Sequence, residues 1–515
     1  MEWSGSSLTW LSISLSAGTL LLLLLQRTKN RHGSAKPRPP GPPGWPVVGN
    51  MFDFGAMPHE TLYKLRSEYG PVVWLKLGSV NTMVIQSPKA AAELFKNHDL
   101  PFSDRKVPDA LTALGYNQGS LALGNYGEYW RILRRICSAE LLVTKRISDA
   151  AAQRKKCTDK MISWIEEDAA SSRARGESGE VQVAHFLFLM AFNVVGNLML
   201  SRDVLDMHSE EGFEFFTAMD KFMEWAGKPN VADFLPFLRW LDPLRIKRNM
   251  MRDMGLAMRI ASRFVMERIQ ENQSGRKEKR DFLDALLNYK GDGKEGPDKI
   301  SKKNVNIIIL EMFFAGSETT SSTIEWAMAE LLRAPNLMKK VKEELGEVVG
   351  QCRDVEETDI NKLPYLQAVV KETLRLHPAI PLLIPRNTMQ DTNYMGYHIP
   401  QNTQVLVNAW AIGRDPDSWD DPLSFKPERF LGSTVEYKGQ HFELIPFGSG
   451  RRMCVGFSLA HQMVHLGLAT LLHSFDWELD MSATPETMDM GERMGITLRK
   501  LVPLKAIPRK LTIPG

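Results

Sequence analysis

The 515-residue sequence predicts a mainly α-helical protein with a small β region, preceded by a single N-terminal transmembrane helix. Three observations carry that prediction. A charge-free apolar run occupies residues 8–25, helical periodicity recurs through most of the chain beyond it, and strand-like alternation is confined to short runs near residues 72–85 and beyond residue 397. Composition narrows the function classes. Hydrophobic residues at 43% and charged residues at 24% are globular values, which exclude disorder, collagen-like repeats and a many-span transporter. A net charge of +3 lacks the concentrated Lys and Arg of a phosphate-binding footprint, so nucleic acid is not an expected partner. Four cysteines, Cys137, Cys157, Cys352 and Cys454, show neither CxxC nor zinc-type spacing and suggest a reducing compartment.

The apolar run, LTWLSISLSAGTLLLLLL, is at the short end of what crosses a bilayer as a helix. Arg27, Lys29, Arg31, Lys36 and Arg38 follow it and only Glu2 precedes it, so the charge bias places the body in the cytosol. A cleaved signal peptide needs the opposite order of charges. No later segment reads as comparably long and apolar, giving one expected span. Residues 36–50, KPRPPGPPGWPVVGN, are a semi-rigid connector in which proline fixes φ. The expected organisation is an anchor over residues 1–26, a basic and Pro-rich hinge over 27–50, and one domain over 51–515, because no repeat or long linker divides the remainder.

Within the body, apolar periodicity predicts helices at 88–97, 127–140, 147–170, 184–200, 211–226, 244–273, 301–334, 336–349 and 364–377. Strands are predicted at 72–77, 82–85, 397–399, 404–408 and near 496–503. The charged, Gly-rich stretch 272–303 reads as a surface connection around a short amphipathic piece, DFLDALLNY. The longest helix has Ser301 as its N-cap and runs without proline to Pro335, on the order of 50 Å. Its middle, FFAGSETTSST, combines Gly316 with consecutive hydroxyl residues that lower helix propensity. Such a departure marks either a functional site or a close helix crossing, and the pattern alone leaves both open.

Near the carboxyl end, Phe447-Gly-Ser-Gly-Arg-Arg-Met-Cys-Val-Gly456 is a Gly-rich loop whose Cys454 opens a helical pattern, FSLAHQMVHLGLATLLHSF. A helix dipole and the adjacent Arg451 and Arg452 are expected to favour a thiolate, and glycines would let backbone approach a flat ligand. A thiolate in such a loop suits an axial ligand to haem iron. The other three cysteines are read as small buried hydrophobes.

The string Phe447-x-x-Gly450-x-Arg452-x-Cys454-x-Gly456 resembles the haem-thiolate signature of the cytochrome P-450 monooxygenases. Ala315-Gly316-Ser317-Glu318-Thr319-Thr320 resembles that family's oxygen-activation motif, Lys371-Glu372-Thr373-Leu374-Arg375 its Glu-x-x-Arg helix, and Pro427-Glu428-Arg429-Phe430 its meander. The resemblance runs from the Pro-rich hinge to the carboxyl end, and the anchor and hinge are similar to those of microsomal, especially plant, members. It implies the P-450 fold and haem b, iron protoporphyrin IX, with Cys454 as the metal ligand; O2 and NADPH-derived electrons would be cosubstrates. Phe447, Gly448, Gly456, Ala315 and Gly316 would then lie against the haem. Thr319 would position water and protons and Glu318 deliver them. Trp130 and Arg134 match the family's Trp-x-x-x-Arg pattern and, with Arg386 and Arg452, are the expected propionate ligands. Glu372 and Arg375 by spacing alone could be an exposed helical pair; the resemblance makes them a buried structural network with Arg429.

By the same resemblance, substrate would meet the segments 106–120, 215–234, 310–319, 379–384 and 494–497, with Phe222, Met223, Phe313, Ile380, Leu382 and Ile496 favouring a small lipophilic molecule. The string AGSETTSSTIEWAMAELL resembles plant members of the geraniol hydroxylase and iridoid oxidase group, implying a monoterpenoid or iridoid substrate, with a phenylpropanoid or flavonoid as the alternative. Two other readings are a peroxide-rearranging haem-thiolate enzyme, which the Glu318-Thr319 pair argues against, and a noncatalytic membrane haem or lipid binder. No GxGxxG or P-loop follows a strand, so electrons are expected from a separate NADPH-cytochrome P-450 reductase docking near Arg135, Lys145, Arg146 and Arg451. The implied location is the endoplasmic reticulum membrane, single-pass, with the domain facing the cytosol.

Overall fold

The longest helical pattern in the sequence becomes the axis of the protein. In the computed structural model, which describes residues 37–206, 210–275, 281–291, 293, 296–480 and 483–510, Ser301 caps the helix Lys302–Arg333 by accepting the Asn304 N–H at 3.2 Å. The predicted anchor at 8–25 lies outside the described residues. From Ile307 to Leu310 and again from Thr320 to Leu332 every side chain of this central helix is buried, because helices Val183–Leu200, Ile246–Gln273, Pro364–Leu376 and Phe457–Ser474 pack around it. The chain is mainly α with small sheets, as read from the sequence.

Val183–Leu200 corrects one expectation. Its mean hydropathy is 1.8, enough by length and composition to cross a membrane, so a later segment does match the N-terminal run. Yet 72% of it is buried inside the protein, with Phe192 stacked on Phe313 of the central helix. Most of its surface faces protein, which accounts for apolar residues on more than one side. The helix predicted at 127–140 is α-helical over Glu128–Ile136 and widens into a π-turn over Cys137–Leu141. Helix Pro58–Tyr69, with proline in its first turn, is not among the predicted elements. The piece within the expected surface connection is core instead: Phe282, Leu283 and Leu286 are buried and Asp281 pairs with buried Arg268 at 2.6 Å. Cys137 and Cys157 are buried as expected, whereas Cys352 is exposed on the loop after helix Pro335–Val348.

The larger sheet is assembled from both halves of the chain. Hairpin Val72–Leu77 and Val80–Ile85 pairs in parallel with Gln404–Val407 (Thr82 opposite Gln404, Ile85 opposite Val407), which is followed antiparallel by Arg386–Asn387 and then Asp104–Arg105. Lys505–Lys510 lies between Val181–Gln182 and Phe475–Glu478, and Glu492–Met494 pairs with Leu498–Lys500 in a hairpin against the central helix.

The Glu372 network ties helix Pro364–Leu376 to the segment 413–429. Glu372, fully buried, accepts Arg375 Nε and Nη2 at 2.7 Å, Arg429 Nε at 3.0 Å and the Lys426 N–H at 2.7 Å. Arg375 also donates to the carbonyls of Gly413, Pro422 and Ser424. At Gly413 a Cβ would stand 2.3 Å from the Arg375 carbonyl oxygen, so glycine is required where the loop crosses the helix end.

Helix Phe457–Ser474 carries a buried titratable group, His465. Its Nδ1 lies 2.7 Å from the His461 carbonyl, an acceptor only, so Nδ1 carries the proton; burial first and the His461 ring second push the imidazole down to about 3. The unfolded chain binds this proton near its ordinary value of about 6.5, so the stability tied to a neutral His465 is present above that pH and is lost as pH falls toward the folded value. Between about pH 7.5 and pH 5 the loss is about 2 kcal/mol. His465→Gln should remove that component from the pH dependence of unfolding; an unchanged difference between the two pH values would refute it.

Candidate functional site

The loop ahead of helix Phe457–Ser474 is built by two left-handed glycines. Gly448 (φ 68°) and Gly450 (φ 70°) turn the chain, and the Cys454 N–H closes the loop on the Phe447 carbonyl at 3.0 Å. At Gly450 a Cβ would sit 2.6 Å from Asp99 Oδ1, so a side chain is excluded there. Asp99 pins the loop from outside: it accepts the Arg451 N–H at 2.7 Å and Arg386 Nη1 at 3.0 Å. The Cys454 thiol opens into a cavity of about 300 Å³. Burial raises its pKa, while the N–H groups of Gly456 and Phe457 and the charge of Arg134 act in the opposite direction. The cations expected beside the thiol, Arg451 and Arg452, are used elsewhere. Arg451 turns to Asp99, and Arg452 reaches back to the carbonyls of Ser103 and Gly124.

The central helix forms the opposite wall, presenting Met312, Ala315, Gly316, Thr319, Thr320 and Thr323. Thr319 Oγ1 donates to the Ala315 carbonyl at 2.7 Å, the back-bond that loosens a helical ladder. Gly316 answers both readings of the small-residue stretch: it lines the cavity, and a Cβ on it would come within 2.7 Å of Val195 on the crossing helix. Glu318 has a partner that the sequence reading did not name. The Glu318 side chain leaves the helix toward the hairpin Glu492–Lys500, about 100° around the axis from Thr319. The Glu318 carboxylate pairs with Arg499 at 2.5 Å, accepts the Thr497 hydroxyl, and borders a separate cavity of about 130 Å³ with His185, Asp220 and Glu325. Burial raises its pKa and Arg499 counters that.

On one edge of the larger cavity four arginines converge: Arg105, Arg134, Arg386 and Arg452. Trp130 lies among them, its indole N–H on the Leu121 carbonyl at 2.8 Å and its face under Arg452 at 4.0 Å. Arg105 stands directly opposite Arg386 across the sheet. Among the described residues, Arg105, Arg134 and Arg452 donate only to carbonyl oxygens, and burial together with the Arg386 charge lowers the pKa of both Arg105 and Arg452, the latter to about 9. Like charges opposed in a strand pair are destabilising until an anion joins them.

Of the predicted substrate-contacting residues, Met223, Ile380 and Ile496 line this cavity. Phe222, Phe313 and Leu382 do not. Phe222 packs on Tyr116 and Phe314, Phe313 is stacked in the core on Phe192 and meets Phe215 edge-on, and Leu382 joins the cluster under the hairpin Val72–Ile85. The loop wall comes from Leu121 and Ala122, just past the predicted segment.

The sequence pattern of the family Cytochrome P-450 matches residues 39–505. The chain is a cytochrome P-450. It is 62% identical over 505 residues to an iridoid oxidase of Catharanthus roseus, covering 98% of both chains, and 41% identical over 488 residues to geraniol 8-hydroxylase of the same plant, covering 95% of this chain and 96% of that one. A solved zebra fish cytochrome P-450 with progesterone matches it with a TM-score of 0.74 at 28% identity, over 88% of this chain and 99% of that one. The protein is therefore a haem-thiolate monooxygenase that uses O2. The residues present fit such a group: a glycine-lined loop presents one thiol to a largely apolar cavity, and among the described residues three of the four arginines, Arg105, Arg134 and Arg452, have no carboxylate partner of the kind two propionates would supply. Bound haem supplies the oxygen-activating chemistry, driven by electron density from a thiolate.

Two contributors are absent from the sequence reading of this P-450. Arg105 sits in Asp104-Arg-Lys106, where nothing local marks it; only its pairing with Arg386 brings it to the site. Glu311, one turn before Ala315, also lines the cavity, yet in the sequence it reads as a break in an apolar run.

Proposed function

We propose that this P-450 oxidises a monoterpenoid or iridoid, using haem b and NADPH-derived electrons delivered by a membrane-bound NADPH-cytochrome P-450 reductase. The observation that carries the substrate class is the 62% identity to the iridoid oxidase across nearly the whole of both chains. The cavity is in keeping with it: Met223, Ile380, Ile496 and Val195 supply apolar surface, while Thr319, Thr320 and Thr497 supply a few hydroxyls for an oxygenated terpenoid. Cys454 is assigned as the axial ligand. Arg105, Arg134, Arg386 and Arg452 take the propionates, with Trp130 as the surface on which Arg452 stacks. Phe447, Gly448, Gly456, Ala315 and Gly316 form the surfaces against the ring, and Thr319 holds water at the groove left by its back-bond to Ala315. Glu318, held by Arg499 beside the smaller cavity, is assigned to deliver protons toward Thr319.

The anchor at 1–26, the hinge at 27–50 and single-pass attachment to the endoplasmic reticulum remain part of this reading. An exposed apolar face supports it. Trp45, Val47 and Phe52 on one side and Phe237, Trp240 and Leu244 on the other are exposed, and both segments close on one turn, where the Gly78 N–H meets the Val48 carbonyl at 2.9 Å and the Ser79 N–H meets the Phe234 carbonyl at 2.8 Å. Exposed Trp, Phe and Leu at one end of a domain suit the headgroup boundary of a bilayer. Arg135, Lys145, Arg146 and Arg451 are the proposed contacts for an acidic reductase face, which makes coupling salt-dependent.

Membranes carrying the full chain, a plant reductase and NADPH, given a mixed terpenoid and phenylpropanoid panel, should yield NADPH-dependent products that gain oxygen, or lose hydrogen from an alcohol, on the monoterpenoids. Turnover of aromatic substrates alone would overturn the substrate class, and turnover without NADPH the electron source.

A further inference from the structure

Glu311 is an acid in the cavity wall that makes no ion pair among the described residues. It is 2% exposed, and among the described residues every group that donates to its carboxylate belongs to the segment 116–122. Oε1 accepts the Ser120 hydroxyl at 2.5 Å and the Ala122 N–H at 3.1 Å, with the Tyr116 hydroxyl at 3.5 Å; Oε2 accepts the Leu121 N–H at 2.6 Å. Burial raises the carboxyl pKa while these donors lower it. A buried carboxylate is tolerated only where its lone pairs are used, and here they are used by a loop rather than by an ion.

The same few residues are held from their other side. The Leu121 carbonyl accepts Trp130 Nε1 at 2.8 Å and Arg452 Nη1 at 3.4 Å, and the Ala122 carbonyl accepts Arg105 Nε at 2.9 Å. Two successive residues, Leu121 and Ala122, therefore lie between an anion on the central helix and the arginine cluster, their N–H groups toward the one and their carbonyls toward the other. Leu121 and Ala122 also line the cavity. We propose that Glu311 is a positioning residue that latches the segment 116–122 as a fixed wall of the cavity, and that through this wall it sets which bulky ligands are accommodated at the haem. The inference rests on the haem-thiolate assignment and is independent of the substrate class.

Glutamine does not replace it. Both carboxylate oxygens accept a backbone N–H, so an amide would turn its NH2 against one of those donors, whereas Glu311→Asp keeps two acceptors on a shorter arm. The test uses the full-length holoenzyme with haem content matched by its reduced-CO spectrum. Amide hydrogen exchange of the peptide spanning Leu121 and Ala122 should speed by about 10-fold or more in Glu311→Gln and less in Glu311→Asp. Spectral titration with two iron-binding probes reads the functional consequence. The Kd for imidazole should stay within about twofold, while that for the bulkier 4-phenylimidazole should rise about 10-fold. Unchanged exchange, or an unchanged or lower Kd for the larger probe, overturns the proposal. Should Glu311→Gln fail to retain haem, Ser120→Ala removes one donor and leaves the carboxylate in place. The same selective rise for 4-phenylimidazole, about threefold, would then support the latch, and equal Kd values would overturn it.

Discussion

Cys454→Ser should lower monooxygenase turnover more than roughly 1,000-fold, equivalent to about 4 kcal/mol of barrier, while leaving the protein folded. The reason lies in the charge the residue can supply. Burial already raises the Cys454 thiol, with the Gly456 and Phe457 N–H groups and Arg134 offsetting part of that. A metal-bound thiol is deprotonated outright, and its anionic sulfur donates strongly to iron. A serine hydroxyl in the same apolar pocket stays neutral and donates far less. Size is not at issue, since the two side chains differ by one atom and the loop is shaped by Gly448, Gly450 and the Cys454 N–H to Phe447 carbonyl bond. The variant should keep its helical circular dichroism and lose the thiolate signature of the reduced-CO spectrum. Retention of that signature, or turnover within tenfold of the parent, would rule out Cys454 as the ligand.

Glu372→Ala should be the most damaging change to folding among the residues described. It removes a fully buried carboxylate and leaves Arg375 and Arg429 facing each other without an anion. Breaking a buried pair by deleting one partner costs about 3–5 kcal/mol, against a total stability of roughly 5–15 kcal/mol. The loop residues Gly413, Pro422 and Ser424 are also held by Arg375, so their positions loosen with it. The expected result is a several-fold loss of membrane-integrated protein bearing haem, with partial recovery in Glu372→Asp. Normal yield and haem content in Glu372→Ala would show that the network is dispensable.

How far the sequence alone reaches depends on whether partners are local. Ser301 as cap, the run to Pro335, the helix opening at Phe457 and the pair Glu372–Arg375 are all decided within a few residues, and each stands where local chemistry puts it. Direction is harder. In a helix covered on every side, periodicity does not say which neighbour a residue faces, so Phe313 reads as a cavity residue although it stacks in the core while Phe314 borders the cavity. Glu318 reads as the partner of its sequence neighbour, but it is bound by Arg499, 181 residues away. Arg105 depends on a strand partner 281 positions later, and only the helices packed on Val183–Leu200 account for so apolar a segment inside the body.

The five-stranded sheet sets the timetable on which the protein can be made. Its first hairpin ends at Ile85, and the parallel partner it requires does not begin until Gln404. At roughly 5–20 residues per second, the hairpin waits about 15–60 s for that strand, with one edge unpaired. Asp99 and Arg105 likewise have no Arg386 or Gly450 loop to meet until the last quarter of the chain is synthesised. Non-local pairing of this kind slows folding and exposes apolar edges in the interval. Haem capture cannot precede synthesis of the loop that carries Cys454, and yield in a foreign host should rise with chaperones that cover the unpaired edge in the interval.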